Sequence, residues 1–168
     1  MKPDLRIRKN SIAGLADSLL AIQVVVLLCQ LPVLLRLYAL PTLLHRLTPP
    51  DSNIMAASDV KRDRAVRVVL RVCQFRLFRT RLFPLACLRQ SLTLYYTLTR
   101  LGYPVMIHFG VRKGKEELRG HSWVTVKGMP MAEGGESSAY RIVYSYSSDQ
   151  PGSALSVREK FVSNAKLF

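Results

Sequence analysis

The sequence predicts an α+β fold in which helices come first and a small antiparallel sheet follows. Before Gly102, apolar residues recur at helical spacing, and the last helical segment ends at this glycine with a proline two residues beyond it. After Gly102, apolar and polar residues alternate in three segments, which predicts strands at 105–111, 118–127 and 141–146. A length of 168 residues fits one domain with one hydrophobic core.

The first fifty residues are unusually hydrophobic. We divide the chain into an N-terminal hydrophobic helical segment (1–50), a core (51–150) and a tail (151–168). No residue is charged from Ser18 to Leu35, a length that also suits a signal peptide or a transmembrane helix. Because Pro32 interrupts this run, we favour a helix that packs on the core or rests on a membrane over one that spans it.

Two helical segments precede the one that ends at Gly102. Ser11 is predicted to begin the first, and Pro32 and Pro41 to divide it into shorter helices. A break at 48–53 separates it from an amphipathic helix near 59–79. One face of that helix is basic, and the basic residues continue beyond it: Arg62, Arg64, Arg67, Arg71, Arg76, Arg79 and Arg81.

The charge balance predicts an anionic partner. Lysine and arginine number 25 against 11 acidic residues, which gives a net charge of +14. Nucleic acid, an anionic membrane surface and an acidic peptide all satisfy this requirement. The sequence has no glycine-rich or aromatic-interleaved motif of an RNA-binding domain, so nucleic acid is disfavoured.

The three cysteines indicate a reducing compartment, and we expect a cytoplasmic protein. Their odd number and the lack of a Cys-x-x-Cys motif argue against a disulfide scaffold and against a zinc site. Cys29 and Cys73 lie in apolar helical runs, so burial as small hydrophobic side chains is expected for both. No metal site and no cofactor are predicted.

Cys87 and His121 are the candidate catalytic residues. Cys87 follows Pro84 at the start of a helix, where unpaired backbone N–H groups and the helix dipole favour an anion. His121 opens an alternating segment that predicts a strand. A cysteine on a helix and a histidine on a strand can form a thiolate–imidazolium pair, the nucleophile of papain-like and transglutaminase-like enzymes. The alternative for Cys87 is a buried structural cysteine.

Four blocks, in order and with matching spacing, carry a family resemblance: Cys87–Leu92, Leu101–Val105, Phe109–Lys113 and His121–Val124. Over about residues 60–135 the chain resembles the transglutaminase-like cysteine peptidases of bacterial lasso-peptide biosynthesis, of the microcin-processing type. The resemblance implies a transglutaminase/papain-like core with the cysteine at a helix N-terminus packed on a small antiparallel sheet.

The resemblance also implies a third catalytic residue and several partners. In that family an acidic residue, commonly aspartate, follows the histidine by about a dozen residues, and here Glu133 follows His121 by 133 − 121 = 12. Glu136 is the competitor and Asp149 a more distant one. The implied activity is removal of the leader peptide from a ribosomally made precursor, with a separate leader-recognition protein as partner and a lasso cyclase downstream.

Three other functions remain open at this point. A transglutaminase-like acyltransferase would use the same cysteine and histidine but deliver an amine to the thioester. A non-catalytic basic adaptor would bind membrane or nucleic acid through the arginine-rich helix. A membrane-anchored subunit would depend on the N-terminal helix, which also leaves peripheral membrane contact open.

Overall fold

The computed structural model describes residues 14–49, 58–75, 86–114, 117–132, 136–149 and 155–156. Four helices and one antiparallel sheet confirm the α+β prediction. The helices are α1 (Leu15–Leu37), α2 (Leu40–Leu47), α3 (Asp59–Cys73) and α4 (Ala86–Arg100). The strands are β1 (Val105–Lys113), β2 (Leu118–Val126), β3 (Met129–Met131), β4 (Arg141–Ser147) and β5 (Leu155–Ser156), in the order β3-β2-β1-β4-β5.

The three predicted strands are confirmed as β1, β2 and β4, and two further short strands were not expected. Gly128–Pro130 was predicted to be a turn, but Pro130 belongs to β3 and is paired with Thr125. A proline is tolerated there because β3 is the edge strand of the sheet. The sequence also predicts a short helix from Ser156, whereas Leu155–Ser156 pair with β4. The rest of the tail lies outside the described residues.

The prediction that Pro32 divides the first helix is wrong. α1 runs through Pro32 to Leu37, and the chain turns only at Tyr38, where the backbone is extended. An interior proline costs about 3 kcal/mol because it removes one helical hydrogen bond and crowds the preceding turn. Burial of Leu28 and Leu31, which are 1% and 0% exposed, opposes that cost. Pro41 lies in the first turn of α2, where it is tolerated.

The remaining helix boundaries agree with the pattern in part. α3 begins at Asp59 as predicted, but it ends at Cys73, six residues before the predicted end (79 − 73). α4 ends as predicted, because Gly102 adopts a positive φ of 79° and donates its N–H to the carbonyl of Thr99. Ser11, the predicted start of the first helix, lies outside the described residues.

All four helices and the sheet share one hydrophobic core, and α4 lies in the middle of it. Leu92, Tyr95 and Leu98 on α4 are 0% exposed, as are Ile107 on β1 and Val124 on β2. Alternate residues of the strands point to this core or to the opposite face of the sheet. The opposite face carries His108, Gly110, His121 and Trp123.

Candidate active site

Cys87 lies in the first turn of α4, as the sequence predicts. It is a free cysteine with a partly exposed side chain, although most residues of α4 after it are buried. A catalytic nucleophile must be held in place by the protein and must also be accessible to a substrate from solvent. The first turn of a helix whose later residues are mostly buried meets both requirements.

Two contacts fix how α4 lies against the sheet. Ser91 Oγ donates a hydrogen bond to the backbone carbonyl of Ser122, at 2.8 Å. One helical turn later, the ring of Tyr95 meets the ring of Tyr146, with centroids 6.2 Å apart. Tyr146 is paired through Ile107 with Val124, so Tyr95 lies at the level of Val124. α4 and β2 therefore run in the same direction along the sheet.

This alignment places Cys87 at the level of Gly120. Four helical residues advance about 6 Å and two strand residues about 6.6 Å, so each step of one turn on α4 matches two residues of β2. From Ser91 opposite Ser122, one turn back along α4 leads to Cys87, and two residues back along β2 lead to Gly120. Gly120 immediately precedes His121. Along the direction of α4 and β2, Cys87 and His121 are therefore at a similar level, and they lie on opposite faces of the sheet.

Gly120 leaves open space beside Cys87. It lies on the face of β2 that α4 covers, in register with Val111, and a Cβ atom at this position would meet nothing within 4 Å. The buried Ser122 and Val124 follow on the same face. The surface of β2 is therefore open at Gly120, near the level of Cys87.

The ring of His121 lies among aromatic rings on the opposite face of the sheet. It stacks on Trp123 with centroids 5.9 Å apart and planes 21° apart, and the ring of Tyr140 lies 5.0 Å away. Because β2 alternates regularly, the His121 ring lies on the face of the sheet opposite to α4, the helix that carries Cys87.

A second histidine, His108, lies beside the rings that contact His121. It stacks on Trp123, with ring centroids 5.4 Å apart. Its Nδ1 lies 2.8 Å from Ser145 Oγ and its Nε2 lies 3.0 Å from Thr125 Oγ1, so both ring nitrogens have hydroxyl partners. Burial lowers the pKa of His108. These contacts give His108 a structural role in the sheet.

Gly110 allows Trp123 and Tyr140 to pack closely against β1. It is paired with His121, and a Cβ atom here would lie 2.9 Å from Trp123 Cη2 and Cζ3 and 3.0 Å from Tyr140 Cβ. Only a glycine fits this contact. Trp123 is buried, at 5% exposure, and contacts the two histidines on the face opposite to α4.

Glu133, the predicted third residue, lies outside the described residues. The chain on either side is described: Met131 pairs with Val124, and Tyr140 contacts His121. Glu136 opens a short 3₁₀ helix, Glu136–Ala139, between these two points.

Asp149 is far from His121. Its neighbour Ser148 is hydrogen-bonded to Val105 at the beginning of β1, whereas His121 is paired with Gly110, five residues further along that strand. Five strand residues span about 16 Å. Asp149 is therefore not the third residue.

The other two cysteines differ from each other. Cys29 is exposed, so the prediction of its burial is wrong; the outward face of α1 is apolar as well as its inward face. Cys73 is half-buried, and burial raises the pKa of its thiol to about 11, although the nearby Arg89 opposes the shift. Arg89 is itself buried, and burial lowers its pKa. A thiol with so high a pKa is a poor nucleophile near neutral pH.

The sequence did not point to Tyr140 or to a role for Gly120. Tyr140 follows a serine-rich segment that reads as a flexible loop, and Gly120 resembles any glycine before a strand. Among the described residues, no group of three or more His, Cys, Asp or Glu side chains is placed to hold a metal ion.

Comparison with known proteins identifies the family of the chain. A search of curated proteins found no match, and a search of solved structures found none. The family model of the transglutaminase-like superfamily matches residues 25–145. That match includes both Cys87 and His121, and it begins within α1. The chain belongs to the transglutaminase-like superfamily, whose members are generally cysteine hydrolases or acyltransferases.

Proposed function

We propose that this protein is a cysteine peptidase that removes the leader peptide from a ribosomally synthesised lasso-peptide precursor. The observation that supports the proposal is the alignment of α4 with β2, which puts the start of α4, with Cys87, at the level of Gly120, the residue before His121. Of the four sequence blocks that resemble the lasso-peptide leader peptidases, the first begins with Cys87 and the last with His121, and Gly120 immediately precedes the last. Membership of the superfamily supports cysteine-dependent acyl chemistry. The four blocks support a leader peptide as the substrate.

In the proposed reaction, His121 takes the proton of Cys87, and the thiolate attacks the carbonyl carbon of the scissile peptide bond. The negative charge that develops on the carbonyl oxygen is stabilised by backbone N–H groups at the start of α4. His121 then gives its proton to the leaving amine as the C–N bond breaks. Water hydrolyses the remaining thioester, which releases the carboxylate and restores the thiol.

We assign Glu133 as the acidic residue that accepts the Nδ1–H of His121 and keeps the ring oriented. In the sequence, Glu133 falls between Met131, which is paired with Val124, and Tyr140, which contacts the His121 ring. Glu136, between the same two residues, is the alternative. If Glu133 has this role, Glu133→Gln lowers the rate but leaves residual cleavage, whereas Cys87→Ala abolishes it. Loss of activity in Glu136→Gln with full activity in Glu133→Gln would move the assignment to Glu136.

The test of the function is cleavage of a lasso precursor in the presence of its separate leader-recognition protein, followed by mass spectrometry. We expect two products, the leader and the core peptide, with Cys87→Ala and His121→Ala inactive but folded by circular dichroism. Cys29→Ala is the matched control, because Cys29 is an exposed free cysteine on a different helix, α1. Substantial cleavage by Cys87→Ala would refute the proposal.

The same assay separates the peptidase from an acyltransferase. A primary amine such as glycine methyl ester is added at increasing concentration, and the mass of the leader product is measured by mass spectrometry. A peptidase yields the free carboxylic acid at all concentrations, because water accepts the acyl group. Quantitative formation of the amide at low amine concentration would instead show acyl transfer.

A further inference from the structure

The outward face of α1 is apolar along the whole helix. Six large side chains there are between 49% and 82% exposed, at spacings of three, four or seven residues that place them in one stripe. They are Leu15, Leu19, Ile22, Val26, Val33 and Leu37. The exposed Cys29 lies in the same stripe. A helix of 23 residues carries this stripe over about 34 Å.

The inward face of α1 fixes the helix to the domain. Val24, Leu28 and Leu31 are at most 2% exposed and belong to the core that contains α4. Asp17 accepts a hydrogen bond from Arg64 of α3. By length and composition α1 is apolar enough to cross a membrane. Crossing would remove these side chains from the core, so the stripe is suited to lying along a surface.

Basic side chains lie on the α3 flank of α1. Arg64 of α3 pairs with Asp17 on the inward face of α1, opposite to the stripe, and Arg67 and Arg71 lie three and seven residues further along the same face of α3. Arg67 is exposed and Arg71 is partly exposed. The two carboxylates of α3, Asp59 and Asp63, lie 3.0 and 3.1 Å from Arg62 on a different side of the helix, so they do not neutralise Arg67 and Arg71.

The C-terminal end of α1 carries a further basic group. Arg36 is exposed in the last turn. Beyond it, the guanidinium of Arg46 lies 4.3 Å from the centroid of the Tyr38 ring and donates a hydrogen bond to the Tyr38 hydroxyl at 3.2 Å. Tyrosine and arginine both combine an apolar body with a polar end, which suits the boundary between lipid and water. The only acidic residue of α1 is the buried Asp17.

We propose that the outward face of α1 lies in the headgroup region of an anionic membrane, with Arg36, Arg67 and Arg71 against the lipid phosphates. An apolar helix face bordered by cations is the physical requirement for such binding. A second copy of the chain fits less well, because it would bring together two molecules that each carry a net charge of +14. This inference does not depend on the peptidase activity.

The test measures binding of the full chain to vesicles of phosphatidylcholine with and without phosphatidylglycerol, by co-sedimentation. We expect preferential binding to the anionic vesicles, weaker at high salt. The double variant Leu19→Gln/Ile22→Gln should bind at least about tenfold more weakly, because two apolar side chains lose their burial in lipid. Leu118→Gln is the matched control, since Leu118 is 72% exposed on β2.

A second pair of variants tests the cations. Arg36→Gln/Arg67→Gln should weaken binding to anionic vesicles by roughly fivefold per lost charge and leave binding to neutral vesicles unchanged. Lys113→Gln, an exposed cation at the end of β1, is the control and should have no effect. Circular dichroism should show the same helix content in all variants, because the substituted side chains are exposed.

Three results would overturn the proposal. The first is equal binding by the wild type and the Leu19→Gln/Ile22→Gln variant. The second is a concentration-dependent dimer in analytical ultracentrifugation that this variant abolishes, with no vesicle binding, which would show that a second copy covers the stripe. The third is protein that stays in the vesicle pellet after both high salt and alkaline carbonate, which would show a spanning helix.

Discussion

Two glycines on paired strands offer a sharp test of the site, because the structure assigns them opposite roles. Gly110 on β1 is closed in by Trp123 and Tyr140, at 2.9 and 3.0 Å from a Cβ atom. Gly120 on β2 has nothing within 4 Å of that atom. Both belong to the same antiparallel ladder, where Gly110 is paired with His121 and Gly120 with Val111. Replacing each in turn separates stability from activity.

Gly120→Val should be neutral or stabilising. A glycine within a strand costs about 0.5–1 kcal/mol relative to alanine, and valine favours strands. For a chain of this size, 1 kcal/mol corresponds to about 2–4 °C in Tm. The two added methyl groups point toward α4 at the level of Cys87. We expect kcat/KM for precursor cleavage to fall by about 10²-fold, the effect of a misplacement of about 1 Å.

Gly110→Ala should give the reverse order of effects. The added methyl group must displace the ring of Trp123 or the backbone that carries Tyr140, and overpacking of this kind costs about 1–3 kcal/mol. Unfolding in urea followed by circular dichroism measures the loss of stability. Activity falls as well, since both rings contact His121.

Thermal unfolding and the cleavage assay, applied to both variants, decide the matter. A folded Gly120→Val variant with full activity would show that the substrate does not occupy the space at Gly120. The alignment of Cys87 with Gly120 would then no longer support the proposed site. A Gly120→Val variant that fails to fold would show that the space is not open. A Gly110→Ala variant of unchanged stability would contradict the close packing around Trp123.

Three further predictions concern groups near the site. Because burial lowers the pKa of His108 below its ordinary value of 6.5, the unfolded chain binds more protons below that pH; the free energy of unfolding should fall as the pH drops below about 6.5, and His108→Gln should reduce this slope in urea titrations at pH 5 and 7.5. Cys73, with a pKa of about 11 against an ordinary 9.0, should have about a hundredfold smaller thiolate fraction than an ordinary thiol, so peptide mapping after brief iodoacetamide treatment should find it less modified than Cys29; equal labelling would contradict its burial. Ser91→Ala leaves the buried carbonyl of Ser122 without this donor, and we expect a loss of about 1–3 kcal/mol in unfolding free energy together with slower cleavage.

The order of elements was predictable because their signals are local. The positive φ of Gly102 ends α4 where the sequence places the stop, and the alternation in β1, β2 and β4 is strong enough to identify each strand. Errors occur where contacts distant in sequence decide. Pro32 does not break α1 because the leucines around it are buried by other elements, and Pro130 joins the sheet because Thr125 is there to pair with it.

For the site, the sequence predicted candidate residues and the elements that carry them, but not how those elements are arranged. Cys87 at a helix start and His121 on a strand follow from pattern alone. Their relative position depends on the direction in which α4 lies against β2, which is set by the contacts of Ser91 and Tyr95. Neither contact has a signature in the sequence, since a serine and a tyrosine on a helix have many possible partners.

The glycines show the same point from the other side. Gly110 and Gly120 are indistinguishable in the sequence, because each interrupts an alternating segment and each could mark a bulge, a bend or a close contact. In the structure, Gly110 is required by the close approach of Trp123 and Tyr140, whose rings contact His121, whereas Gly120 has open space beside it. Within one sheet, a glycine on one strand therefore allows close packing of rings, and a glycine on the paired strand leaves open space on the other face. Only the register of the strands with α4 shows which position has which role.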